Sequence, residues 1–267
     1  MLIFPRLEVI LAQHYKRGIK PDAPYVEYPE IGHQIAVFDV ILVFNLILRL
    51  IIGQNVARKG EKSFKIHMQC YNILQILLNL YVFVGSLSNC LSYSQFNWTC
   101  TKLDVNDVSP ITLNLRKFTF LYFFTKFLDI FDLVFLVLNK QRDNVTKFHK
   151  GQHLINFYGA FVYQRHIYGG QLAAVGFINI IAQIFVHCYH FWTAGKENSA
   201  KVESWKRYLV QIQILQFSLT SMSILLTLLN NSCGFPDMWL AILLVLNLYA
   251  AGGLYRHYVK EFSQNVK

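Results

Sequence analysis

Two histidines four residues apart stand in the segment HKGQH, residues 149–153, at the start of an apolar stretch. Imidazole rings titrate near neutral pH and can act as bases or nucleophiles. A spacing of four residues places His149 and His153 on one face of a helix. The segment therefore predicts nucleophilic or acid–base chemistry. Gln152, between them, offers hydrogen bonds but no basic lone pair.

A second polar set lies inside an apolar run, where Lys126, Asp129 and Asp132 recur every three residues. This spacing places the three side chains on one broad helical face. Ionisable groups in an apolar segment are costly, so they either pair with one another or form a functional site. Two interpretations stay open: a structural ion pair with the second acid partnered elsewhere, or a polar site that faces the interior of a helix bundle.

A third polar set lies in the run GFINIIAQIFVHCYHFW, where helical spacing aligns four polar side chains on one face. These are Asn179, Gln183, His187 and His190. A lone histidine in such a helix usually satisfies one hydrogen bond, whereas four aligned polar residues favour a site. We therefore predict that the three sets face one shared cavity.

Long apolar runs are the elements that must position these residues. The chain has 267 residues, of which 54% are hydrophobic and 15% charged; soluble domains are about a quarter charged. A membrane helix needs about 20 apolar residues. We predict an all-α membrane protein with one domain, 1–267, and seven transmembrane helices; six is the alternative, because the fourth run is short. The predicted spans are 36–53, 71–91, 118–139, 153–168, 171–192, 208–229 and 236–256.

The net charge of +10 is distributed unevenly along the chain. With a lumenal N-terminus and a cytosolic C-terminus, the cytosolic loops carry nearly twice as many lysine and arginine residues as the lumenal ones, in agreement with the positive-inside rule. This distribution argues against nucleic acid as a partner. The basic loops would attract anionic headgroups or a phosphate-bearing substrate. In this topology the polar sets lie near the cytosolic side, so the predicted cavity opens towards the cytosol.

The same topology separates the five cysteines into lumenal cysteines and cysteines in or near predicted spans. Cys100 and Cys233 lie on the lumenal side, where an oxidising compartment allows a disulfide between them. Cys70, Cys90 and Cys188 fall in or near predicted spans and are expected to be small apolar fillers.

The polar sets form part of four ordered motifs, within residues 118–217, that resemble those of the ELO family, the very-long-chain fatty acid elongases of the endoplasmic reticulum. The family pattern is K-x-x-E-x-x-D-T, H-x-x-H-H, N-x-x-x-H-x-x-M-Y-x-Y-Y and T-x-x-Q-x-x-Q-F. The corresponding segments here read KFLDIFDL, HKGQH, NIIAQIFVHCYH and VQIQILQF. Their common order and near-family spacing make the match specific.

The resemblance implies a seven-helix, multi-pass protein of the endoplasmic reticulum membrane that acts as a 3-oxoacyl-CoA synthase, an acyltransferase. A long-chain acyl-CoA and malonyl-CoA would condense, with loss of carbon dioxide, to a 3-oxoacyl-CoA two carbons longer. These co-substrates are the implied ligands, with no further cofactor and no metal. Other implied partners are the lipid bilayer and either elongation-cycle enzymes or a second elongase chain in a homo- or heterodimer. Family members are thought to pass the acyl group through an acyl-imidazole.

The resemblance also assigns roles to motif residues of this chain. The predicted catalytic residues are His149, Gln152, His153, Gln183 and His187. The predicted substrate-binding residues are Lys126, Asp129, Asp132, Lys150, Asn179, His190, Gln213 and Gln216.

The chain departs from the family pattern where the covalent mechanism depends on histidine. Gln152 replaces the middle histidine of the box, and Gln183 replaces the histidine of the third motif. Glutamine neither accepts a proton at neutral pH nor carries an acyl group well. His187 lies one helical turn from Gln183, so a relocated base is conceivable. We expect a weak or altered elongase or, alternatively, an inactive relative that binds acyl-CoA or pairs with active elongases.

Two other classes of function fit the residues less well. A metal site formed by His149 and His153 with His187 and His190 has the required ligand type, but membrane di-iron enzymes use more histidines. A seven-helix receptor would share the topology, but the last span reads NLYAAGGLY and lacks the Asn-Pro turn of that class.

Overall fold

The computed structural model describes residues 61–93, 96, 109–138, 147–166, 172–194, 200–230 and 237–263. Within these residues the structure contains helices and no strand, which confirms the predicted all-α class for this part of the chain. The helices are α1 (Glu61–Ser92), α2 (Pro110–Leu128), α3 (Ile130–Leu138), α4 (Lys147–His166), α5 (Leu172–Thr193), α6 (Ala200–Leu229) and α7 (Asp237–Tyr258), followed by a π-helical turn, Val259–Ser263.

Four of these helices, α1, α5, α6 and α7, are long and apolar enough to cross a membrane, which indicates a multi-pass membrane protein. The predicted spans that fall on them are 71–91, 171–192, 208–229 and 236–256. The predicted span 36–53 lies outside the described residues, as do Cys100 and Cys233. The seven-span topology, its orientation and the disulfide therefore stay predictions.

The other three cysteines are free thiols with different surroundings. Cys90 is buried between α1 and α5, where it packs with Ala173 and Phe177. Cys70 and Cys188 are exposed on the same two helices. The expected role of small apolar filler is therefore confirmed for Cys90 and wrong for the other two, because the faces of α1 and α5 that carry them point away from the packed interior.

The predicted span 118–139 is divided between α2 and α3. Ser109 caps α2, since its Oγ accepts from the Thr112 amide at 3.4 Å, and Pro110 stands in the first turn. The helix ends at Asp129, whose backbone stays right-handed (φ −56°, ψ −20°) and whose N–H donates to the Thr125 carbonyl at 2.9 Å. This boundary places the Asp129 carboxyl group at the junction of the two helices.

The helices pack in a closed circuit. α1 packs against α2 and α5, α5 against α6, α6 against α7, α7 against α4, and α4 against α2. A buried apolar cluster joins α3, α4, α6 and α7 on one side of the circuit. Its residues are Ile130, Leu133, Phe157, Ile224, Trp239 and Leu240. The circuit therefore directs faces of the motif-bearing helices α2, α4, α5 and α6 towards a common interior.

α1 is polar on its inner face and apolar on its outer faces. Asn72, Gln75 and Asn79, spaced by three and four residues, are fully buried. Six large apolar side chains in the middle of the helix are between 42% and 59% exposed: Ile73, Leu74, Leu77, Leu80, Tyr81 and Val84. This arrangement suits a bilayer, in which exposed apolar groups contact lipid and polar groups must find partners inside the protein.

Gly85 allows α1 to approach α2 closely. A Cβ atom at this position would overlap the ring of Phe118, which packs against Tyr81 at a centroid distance of 5.7 Å. We expect Gly85→Ala to lower the free energy of unfolding by about 1–3 kcal/mol, because overpacking outweighs the better helix propensity of alanine. Thermal unfolding of the purified protein measures the change.

Gly252→Ala on α7 is the matched control, because a Cβ atom there meets nothing within 4 Å. We expect this variant to be unchanged or slightly more stable. Equal losses of stability at the two positions would contradict the close approach at Gly85.

Candidate functional site

Asp129 is the centre of a buried polar cluster that joins α1, α2 and α5. Its Oδ2 accepts from Lys126 Nζ at 3.0 Å, and its Oδ1 accepts from Gln75 Nε2 at 2.7 Å. The same Oδ1 lies 3.2 Å from His187 Nε2. We call these four side chains, with Asn72, the Asp129 network. An ion pair out of water persists only when further hydrogen bonds satisfy it, and here both carboxylate oxygens are engaged.

His187 is held at both ring nitrogens. Its Nδ1 lies 3.0 Å from Asn72 Oδ1, and Asn72 Nδ2 donates to the Met68 carbonyl at 2.8 Å, which directs the amide oxygen towards the ring. The neighbouring Asn72 and Asp129 oxygens are both acceptors, so they engage the ring at both nitrogens. In this arrangement neither nitrogen of His187 offers a lone pair to a substrate.

Asp132 adds a second carboxyl group beside the network. One potential metal-ligand atom from each of Asp129, Asp132 and His187 lies within 4.8 Å of the other two, a spacing that suits a metal ion. However, Lys126 and His187 already engage the two oxygens of Asp129. The sequence left open a structural ion pair or a polar site facing the bundle interior. The structure combines features of both, because Lys126 and Asp129 form an ion pair that lies in the bundle interior beside other motif residues.

Tyr71 closes the network on the side of α1. Its hydroxyl donates to the Leu128 carbonyl at 2.8 Å and accepts from Gln75 Nε2 at 3.2 Å. Its ring meets His187 edge-on at a centroid distance of 6.0 Å. The α1 residues Tyr71, Asn72 and Gln75 therefore form half of the cluster, although sequence reasoning missed them. The missed signal was a line of polar residues at helical spacing within an apolar run.

The remaining predicted residues lie on α4, α5 and α6. Gln152 and Gln183 are buried, whereas His153, His190 and Gln213 are half-buried. His153 lies near enough to Asp129 for their charges to interact. The side chains of His149 and Lys150, in the first turn of α4, are outside the described set. The roles predicted for these residues stay predictions.

Asn179 and Gln216 line an interior cavity of about 70 Å³ between α2, α4, α5, α6 and α7. The Tyr122 hydroxyl donates to Asn179 Oδ1 at 2.9 Å. The Tyr122 ring also lies 5.3 Å from Lys126 Nζ. Tyr122, a second residue that sequence reasoning missed, thus connects the cavity with the Asp129 network.

Comparison with known proteins places these residues in a family. A very long chain fatty acid elongase 7 of Drosophila melanogaster is 24% identical over 221 residues, 81% of this chain and 65% of that protein. A very long chain fatty acid elongase 1 of Homo sapiens is 24% identical over 223 residues, 83% of this chain and 79% of that protein. A very long chain fatty acid elongase 4 of Mus musculus is 29% identical over 171 residues, 62% of this chain and 52% of that protein.

The chain therefore spans just under two thirds of the Drosophila relative's length. The match to a family is broader than any of these pairwise similarities, since the model of the GNS1/SUR4 family, ELO, covers residues 31–267. That range contains the network, the cavity and all four motifs. The resemblance inferred from the motifs is thereby confirmed, and the chain belongs to the ELO (GNS1/SUR4) family.

Proposed function

We propose that this protein acts in fatty acid elongation at the endoplasmic reticulum membrane, where it condenses a long-chain acyl-CoA with malonyl-CoA. We further propose a rate well below that of relatives with intact histidine motifs. Family membership over residues 31–267 and the names of the relatives support the reaction class. The structural observation that carries it is the meeting of motif residues from α2 and α5, Asp129 and His187, in one buried network.

The reaction would begin with attack of a box histidine on the acyl-CoA thioester. The carbon–sulfur bond breaks, coenzyme A leaves as the thiol, and the acyl group forms an acyl-imidazole. Malonyl-CoA then loses carbon dioxide, and the electron pair released attacks the acyl carbon while the imidazole leaves. His149 and His153 are the box residues that can carry this acyl group, because Gln152 has no basic nitrogen.

The Asp129 network would contribute position rather than covalent chemistry. It ties α5 to α1 and α2 and would thereby fix the position of Asn179 in the cavity wall. His187 would hold its position in it, since both ring nitrogens are engaged. For His187 to act as the base, it would first have to lose its hydrogen bond to Asn72 or to Asp129.

The same observation favours a second candidate function, an inactive relative that binds acyl-CoA or pairs with an active elongase. Glutamine occupies both buried motif positions, 152 and 183, and the imidazole one turn from Gln183 is fully engaged. Such a protein would keep the fold and the cavity of the family while lacking turnover.

Incorporation of labelled malonyl-CoA by the purified protein, across a panel of acyl-CoAs, separates the two functions. Incorporation that is lost in His149→Ala and His153→Ala supports the condensing enzyme and the box assignment. Incorporation that survives both changes contradicts the box assignment. Acyl-CoA binding without any incorporation establishes the inactive relative.

The lysines at the start of α4 are expected to meet the phosphates of coenzyme A. We expect Lys147→Gln with Lys150→Gln to weaken acyl-CoA binding about three- to tenfold at low salt and less at high salt, because salt screens the attraction. Titration of the purified protein with acyl-CoA at two ionic strengths measures this. Lys117→Gln, on the lumenal side in the predicted topology, is the control, and unchanged affinity in the double variant at low salt would contradict the assignment.

A further inference from the structure

The walls of the cavity are mostly apolar, but several polar side chains also line it. Asn156 of α4, Gln216 and Thr220 of α6, and Asn247 of α7 all line it. Thr220 is 3% exposed, and its Oγ1 is a buried atom with no hydrogen-bond partner. Asn247 Nδ2 donates to the Leu243 carbonyl at 2.8 Å, which leaves its amide oxygen for another donor. Several helices thus contribute polar side chains to one partly open cavity.

The cavity lies one helical turn from Gln152, Gln183 and Gln213 along three helices. Asn156 follows Gln152 and His153 on α4, Asn179 precedes Gln183 on α5, and Gln216 follows Gln213 on α6. One turn of helix rises about 5.4 Å. An acyl chain that begins at the box and extends into the bundle would therefore reach this space a few carbons from the thioester.

A saturated chain would suit the apolar part of these walls but would leave the polar groups without partners. Its methylene groups would displace water and leave Thr220 Oγ1 and the amide groups unpaired, which is costly in a buried site. The described residues that line the cavity include no charged side chain, so an anionic or cationic group would find no counter-ion among them. A hydroxyl group both donates and accepts, and it needs little more space than a methylene.

We infer that the cavity receives a hydroxyl group carried part-way along the acyl chain, so that the preferred substrate is a hydroxylated long-chain acyl-CoA; this inference rests on the proposed function. The cavity of about 70 Å³ accommodates a hydroxyl group with the neighbouring carbons of the chain. Thr220 is the specificity-determining side chain, with the amide of Asn247 as a second partner.

The test compares octadecanoyl-CoA with its monohydroxylated derivatives, in which the hydroxyl is moved stepwise along the chain. Binding to the purified full-length protein is titrated by ligand-induced thermal stabilisation, and turnover is measured with labelled malonyl-CoA. We expect the best hydroxylated chain to bind and react about tenfold better than the saturated chain, the effect of one or two hydrogen bonds. Equal or better use of the saturated chain would overturn the inference and leave the cavity to ordered water.

Two variants at Thr220 and one matched control sharpen the result. Thr220→Val removes the hydroxyl at nearly constant volume and should reduce the preference at least threefold, whereas Thr220→Ser should retain it. Thr227→Val is the control, because Thr227 is equally buried on α6 but bonds its hydroxyl to the Ser223 carbonyl and does not line the cavity. Equal effects of Thr220→Val and Thr227→Val would overturn the role of Thr220.

Failure of the proposed function gives a different pattern. If no chain supports incorporation but the hydroxylated chains still bind preferentially, condensation is excluded and the ligand preference stands. If incorporation occurs at the same rate with every chain, condensation is supported and the inference is overturned.

Discussion

Restoration of both motif histidines, Gln152→His with Gln183→His, is expected to raise elongation activity about 10²–10⁴-fold over the unaltered protein. Placed acid–base groups commonly contribute about this factor. The double variant should exceed the product of the two single variants, because the two positions would serve one reaction and couple. Both glutamines are buried in helices of the same circuit. Because histidine is polar like glutamine, the two substitutions add titratable rings at nearly constant polarity. Labelled malonyl-CoA incorporation measures all three variants.

The control is Gln211→His, a glutamine-to-histidine change at an exposed position of α6 that bonds to Tyr258. It should leave incorporation unchanged. Strong activity in the unaltered protein, lost in His187→Ala but kept in Gln152→Ala, would contradict the expectation. That result would show that His187 is the base, and its hydrogen bonds to Asn72 and Asp129 would then have to open during turnover.

Asp129→Ala is expected to lower the free energy of unfolding by about 3–5 kcal/mol and to abolish any activity. The substitution leaves Lys126 buried without its counter-ion, which is the costly way to break such a pair. Gln75 and His187 lose an acceptor at the same time. Thermal unfolding of the purified protein, followed by circular dichroism, measures the loss.

Two comparisons distinguish this mechanism from a general loss of packing. Asp129→Leu combined with Lys126→Met removes both charges and should recover much of the stability, because an apolar pair replaces the ion pair. Glu261→Ala breaks a partly exposed contact with Lys206 and His257 and should cost about 0–1 kcal/mol. A double variant less stable than Asp129→Ala would contradict the importance of the unpaired lysine.

The sequence alone predicted most of the described helices and part of the buried polar cluster. A bilayer demands runs of about 20 apolar residues, so the predicted spans 71–91, 171–192, 208–229 and 236–256 fall on four long apolar helices, whereas 118–139 is divided between α2 and α3. Polar residues are costly in such runs, which makes Lys126, Asp129 and His187 conspicuous, and helical spacing assigns them to common faces. Hydropathy was less informative about helix ends: α1 begins at Glu61 and α6 at Ala200, because backbone hydrogen bonds continue a helix past its apolar part.

Only the tertiary structure decided which polar residues become partners. The alignment of α1 beside α2 and α5 brings Asn72 and Gln75 to Asp129 and His187, although these residues are far apart in the chain. The same contacts engage both nitrogens of His187, which its position in a motif does not reveal. The cavity wall arises in a similar way, because Thr220 and Asn247 are isolated on their own helices and meet only when the circuit closes. Periodicity along one helix reports a shared face, whereas a hydrogen bond or a cavity depends on how neighbouring helices are packed.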